Sequence, residues 1–191
     1  MIHKAPIDGI PYIAFNPPHL ASTPYEIERV YGSLQDRELE LFQSVCAGLP
    51  SAEDCVRKNP DEYQLPAEVF EVARTFIPQE LPKPVTYYPD FWLCYQNSIL
   101  YAEAIGCMYV EGVAVSPCGP MLHAWITTNG TDVYDFTWPC QHLNRYYGVA
   151  FDPKKLREAG YPYGAIFGFN KKTLAQRHIP IRVDIRTLVA T

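Results

Sequence analysis

The spacing of apolar and polar positions changes part-way along the chain, and the change divides it. Leu34, Leu39, Leu41, Phe42 and Val45 predict a helix over 34–47, with Ser33 as its N-cap and Gly48 and Pro50 as stop signals. Ser51 caps a short turn to Lys58, and Pro66 opens a helix to about Phe76 with Val69, Phe70, Val72, Ala73 and Phe76 on its apolar side. Pro78, Pro82 and Pro84 then break the pattern. Beyond them the chain predicts one helix over about 93–105. The runs Tyr109–Val115, His123–Thr128 and Thr131–Trp138 follow it, all β-branched or aromatic and separated by turn residues. Asp152-Pro153 starts a short helix ending near Gly160, and residues 162–169 and 179–189 read as further strands. Helices first, then one helix followed by antiparallel strands, is an α+β layout. It divides into residues 1–84, a proline-rich arm with a helical subdomain, and residues 85–191, an α+β core. The prolines from Pro6 to Pro24 are mixed with Ile, Tyr and Phe, too aromatic for a free linker, so the arm is expected to pack on a surface.

Composition narrows the function classes. The 191 residues are 48% hydrophobic and 19% charged, which places the chain among ordinary globular proteins. A net charge of −5 argues against nucleic acid as the main partner, and Lys154, Lys155 and Arg157, the densest basic cluster, read as a solvated helix face. No stretch approaches the roughly 18–20 apolar residues of a membrane span. The first residues, Met1 to Pro6, lack the apolar run of a secretory leader. Six cysteines have no disulfide-framework spacing, so free thiols in a reducing, cytoplasmic compartment are expected, and Asn129-Gly130-Thr131 is then only a turn.

Three residues carry the candidate chemistry. Cys94 opens the 93–105 helix, because Pro89 and the aromatics before it make an earlier start unfavourable. At a helix start the unpaired N–H groups and the positive end of the dipole favour a thiolate. The same N–H groups could form part of an oxyanion hole, with Asn97, one turn on, or Tyr87 or Tyr88 upstream as second donors. His123 and Asp135 lie on successive strands around Asn129-Gly130, a strong hairpin signal. A two-residue loop would pair His123 with Phe136; a three-residue loop with Gly130 left-handed pairs it with Asp135. The second register gathers Ala124, Ile126, Tyr134, Phe136 and Trp138 on a core side. It leaves His123, Trp125, Val133, Asp135 and Thr137 on the other, and it is preferred for that separation. Thiol, imidazole and carboxylate are then a nucleophile, its base and the group that orients the base. Taken singly, each has a simpler explanation: a packed thiol, a hydrogen-bonded strand histidine and a polar sheet-edge residue. Cys46, Cys55 and Cys107 read as packing residues.

The blocks Cys94-Tyr-Gln-Asn97, Tyr109-Val-Glu111-Gly112, His123-Ala-Trp125, Asp135-Phe-Thr137-Trp138 and Tyr147-Gly-Val lie within residues 90–151. They resemble the papain-like and transglutaminase-like superfamily. More narrowly, they resemble uncharacterised bacterial and phage proteins with C-x-x-N, Y-V-E-G, H-A-W, D-P-T and Y-x-G-V blocks. Phe136 stands where that pattern has proline. The resemblance implies a papain-like core and thioester chemistry at Cys94, with His123 as base and Asp135 as its orienter. The activities it covers are those of peptidases, amidases, deamidases, transglutaminases and acyltransferases, acting on a protein, peptide or acyl substrate without a cofactor. Residues 1–85 fall outside it, as a candidate lid or recognition layer.

Other assignments compete. Glu111 could recognise substrate, hold a nearby loop or be a buried ion-pair partner, and Trp125 shares the expected active face. A catalytically inactive module of the same fold would use the cleft or the arm to hold a protein partner. Cys118, His123, Cys140 and His142 could instead bind zinc, although C-x4-H and C-x-H are not the usual spacings of structural sites. His142 and His178 otherwise read as surface or loop residues.

Overall fold

The computed structural model describes residues 40, 43–44, 46–59, 63, 69–79, 94–116, 119–138, 141–166 and 184–190. Their elements are α1 (Ala52–Lys58), α2 (Val69–Val72), β1 (Arg74–Pro78), α3 (Cys94–Ile105), β2 (Met108–Ser116), β3 (Gly119–Thr127), β4 (Asp132–Val133), a 3-10 turn (Gln141–Leu143), β5 (Arg145–Phe151), α4 (Pro153–Glu158) and α5 (Ile185–Leu188). The architecture is α+β, as expected. The Ser33 cap and most of the predicted 34–47 helix lie outside the described residues; positions 40, 43–44 and 46–47 are helical.

Several boundaries follow the sequence signals. Ser51 Oγ accepts from Asp54 N at 3.0 Å and caps α1. Asp152 caps α4 ahead of Pro153. Gly106, at φ 70°, ends α3 with Cys107 N donating to Ala102 O at 2.9 Å, a Schellman closure.

The sheet has the order β3-β2-β5-β1-β4, antiparallel except where β1 runs parallel to β4. It curls until Tyr134, just after β4, bridges Ile126 of β3. Side chains therefore alternate between an inside and an outside. Phe76, Val110, Ala114, Trp125, Val133, Trp138, Tyr146 and Ala150 fill the inside. Tyr109, Val113, Val115, Ala124, Ile126, Tyr147, Val149 and Phe151 face outward, where Ile99 and Ala102 of α3, Val56 of α1 and Leu156 of α4 cover them. Both faces are buried, which is why β2 reads as an almost unbroken apolar run.

Four expectations need correction. Phe76 is not at the end of a helix: α2 stops at Val72, and the β-prone Thr75-Phe76-Ile77 forms β1, paired with β5 through Thr75 and Phe76 and with β4 through Ile77. Residues 74–78 thus supply a strand to the same sheet as β2–β5. The Asn-Gly connection matches neither register. Asn129 Oδ1 accepts from Thr131 N and Asp132 N, both at 2.9 Å, which lengthens the loop, and β1 captures β4. Tyr134 consequently meets Ile126, two residues along from the expected Ala124. A shift of two preserves facing. Residues 162–166 form a turn in place of a strand, with Gly164 and Ala165 at φ 67° and 64°. The last predicted strand holds α5, because Asp184 caps it by accepting from Arg186 N at 3.0 Å. No described helix is long and apolar enough to cross a membrane.

Candidate active site

Cys94 is the first residue of α3 and is 9% exposed. Helix packing brings it to β3, the strand that carries His123. His123 is buried, and its Nε2 lies 2.7 Å from Asp135 Oδ2. An ionised carboxylate can only accept, so Nε2 carries the hydrogen and Nδ1 is left for the Cys94 side chain, which also hydrogen-bonds the ring. Burial alone pushes the imidazole pKa down. The Asp135 carboxylate and the Cys94 sulfur more than reverse this, raising it to about 10. The ring therefore holds its proton at neutral pH.

The carboxylate is fixed from several sides. Asp135 Oδ1 accepts from Thr137 N and Trp138 N, each at 2.9 Å, an Asx turn that shapes the Asp-Phe-Thr-Trp block. Oδ2 accepts from Tyr146 Oη at 2.9 Å as well as from His123. Asp135 N donates to Gln141 Oε1, and Gln141 Nε2 donates to Gln79 O beyond β1. The indole of Trp138 stacks on the His123 ring at 4.2 Å between centroids. Phe136, where the resembled pattern has proline, stacks on Tyr101 of α3 at 4.4 Å, tying the carboxylate's turn to the helix of the thiol.

Comparison with known protein families, curated proteins and solved structures finds no match.

The site brings together Cys94, His123 and Asp135. Asn97 is buried on the same helix one turn after Cys94. Tyr87 and Tyr88 lie outside the described residues. Trp125, expected on an active surface, is fully enclosed in the inner core, edge-on to Phe76 and Tyr146, and offers no surface to a ligand. Trp138, expected on the opposite core side, instead joins the inner cluster because the Asx turn redirects the chain there. Of the zinc candidates, Cys118 and Cys140 lie outside the described residues, and His142 is exposed on the 3-10 turn. Among the described residues no group of three or more His, Cys, Asp and Glu is placed to hold a metal.

Glu111 is fully buried on the outward side of β2 and holds a loop. Its Oε1 accepts from Tyr109 Oη at 2.6 Å and from Ile166 N at 2.7 Å, while Ala165 N donates to Tyr109 Oη at 3.2 Å. A Cβ on Gly164 would overlap that phenol, and Ala165 is left-handed, so the carboxylate secures a strained turn. Burial and then the Glu111 charge push the Tyr109 phenol pKa up, keeping it a donor. Glu111→Ala should lower the stability read by chemical denaturation by roughly 2–4 kcal/mol, because it strands a buried hydroxyl and a backbone N–H.

Sequence reasoning missed Tyr146, Gln141 and Asn144. The Tyr147-Gly-Val block pointed one residue too far, because strand alternation sends Tyr147 outward and Tyr146 inward. Assigning β5 as a strand would have separated them.

Proposed function

We propose that the protein is a cysteine-dependent amide- or acyl-transfer enzyme with a papain-like core, acting on a protein, peptide or acyl substrate in the reducing cytoplasm. One observation carries this reading: a single imidazole bonds a carboxylate through Nε2 and also hydrogen-bonds a helix-start thiol. The Cys94 sulfur, as thiolate, attacks the carbonyl carbon. Backbone N–H groups at the start of α3, with Asn97, stabilise the oxygen that gains charge. The His123 imidazolium gives its proton to the leaving amine as the C–N bond breaks, and a thioester remains. Water or an amine then attacks that thioester, yielding a proton to His123 and regenerating the thiolate. Water makes the enzyme a peptidase, amidase or deamidase; an amine makes it a transglutaminase.

Alkylation by iodoacetamide across pH tests this. Burial raises the Cys46 and Cys107 thiols to about 11, so they stay protonated near neutrality, and the Cys94→Ala variant separates Cys94 from the remaining cysteines. Fast labelling should vanish in Cys94→Ala and slow about 10²-fold in His123→Ala. Uniformly slow labelling, indifferent to His123→Ala, would sink the enzyme in favour of an inactive binding module.

A further inference from the structure

The Asp135 oxygen that receives His123 is shared, and the sharing donor lies on a strand that contributes nothing else to the triad. Tyr146, on β5, is almost fully buried and points into the inner core with its ring edge-on to Trp125. Its hydroxyl oxygen accepts from Asn144 Nδ2 at 3.2 Å. That contact occupies the oxygen from one side and turns the hydroxyl hydrogen onto Asp135 Oδ2. Oδ1 is already held by two backbone N–H groups, so the Tyr146 hydroxyl removes the carboxylate's remaining freedom to pivot about its own bond. We propose that Tyr146 is a positioning residue of the triad, its hydroxyl, aimed by Asn144, fixing the carboxylate oxygen that holds the His123 ring toward Cys94. This role rests on the cysteine-enzyme reading. It extends that reading to a fourth and a fifth side chain, and it also predicts an electrostatic effect. The positive end of the hydroxyl dipole lies against the oxygen that supports the imidazolium, so it moderates the pull of the carboxylate on the proton of the ring.

The test uses the full chain, and Tyr146→Phe removes only the hydroxyl. His123 is followed by NMR of a histidine-labelled sample, its resonance identified by loss in His123→Gln, while Cys94 alkylation is measured in parallel. The His123 midpoint is expected to rise by roughly half a pH unit or more, because a donor to its counter-ion is gone. Alkylation near neutrality is expected to slow about fivefold to tenfold, because the ring is no longer held in line. Asn144→Ala leaves the tyrosine in place and should move both readouts the same way by less, which keeps the test decisive if Tyr146→Phe folds poorly. A wild-type thiol that depends on His123, together with variants whose midpoint and alkylation profile do not move, would overturn this role alone and leave Tyr146 as packing. A wild-type thiol indifferent to His123→Ala would overturn the enzyme reading, and this role with it.

Discussion

Asp135→Asn should slow Cys94 alkylation near neutrality by about 10²-fold and cost roughly 3 kcal/mol of stability. Both effects have one origin. The carboxylate accepts four donors: Thr137 N and Trp138 N on one oxygen, Tyr146 Oη and His123 Nε2 on the other. A carboxamide offers one acceptor and one donor, so either orientation sets an NH2 group against two of the buried donors. Without the anion, desolvation again dominates the imidazole, and the ring no longer stays charged beside the thiol. The pH dependence carries a further signature. A histidine raised from 6.5 to about 10 on folding gives stability that is fully present below pH 6.5 and is lost as pH rises through about 10. Urea midpoints taken between pH 6 and 10 should therefore fall in the wild-type chain and change much less in Asp135→Asn. Equal slopes in the two proteins would refute the charged-pair account.

Gly112→Ala should lower stability by about 3 kcal/mol or more, for a reason unrelated to backbone dihedrals. Gly112 of β2 faces Gly148 of β5 in the register that also sets Gly112 opposite His123. A Cβ at Gly112 would overlap the Tyr147 carbonyl oxygen and lie 2.5 Å from Gly148 Cα; one at Gly148 would meet Trp125 Cη2 at 2.9 Å. These neighbours are backbone or a locked indole, so neither can yield without moving a strand. In a chain of this size such a loss is a fall of about 10 °C in melting temperature. Gly160→Ala gives the contrast: its φ is 91° but nothing lies within 4 Å, so only local strain of about 1–2 kcal/mol applies. Equal melting temperatures for the two variants would show that the strands separate more readily than the glycine pair suggests.

How far the chain could be understood beforehand depended on whether a signal was local. Ser51, Asp152 and Gly106 act within one turn of backbone, and their elements begin or end where they stand. The facing of His123 and Asp135 was also legible, because a period of two survives the two-residue error in register. What did not show was anything decided at long range. Thr75-Phe76-Ile77 is a strand only because β5 and β4 flank it, and the preceding apolar pattern disguised it as helix. Tyr146 and Gln141 became part of the site because a curled sheet placed them beside Asp135, and no spacing in their own segment encodes that. Trp138 was misplaced because the Asx turn at Asp135 ends the alternation on which the expectation relied.

The parallel placement of β1 beside β4, with β5 on its other side, has a consequence for biosynthesis. Synthesis delivers β1 first, then the thiol, then the imidazole and carboxylate. The strand that joins β1 to β2 comes last, ending at Phe151. Until β5 has left the ribosome, β1 has no antiparallel neighbour and the Tyr146 hydroxyl is absent from the carboxylate. Sequence-distant pairings of this kind form late and slowly. From the synthesis of Cys94 until Phe151 has emerged, a nascent chain thus carries its thiol without the completed sheet that supports its base.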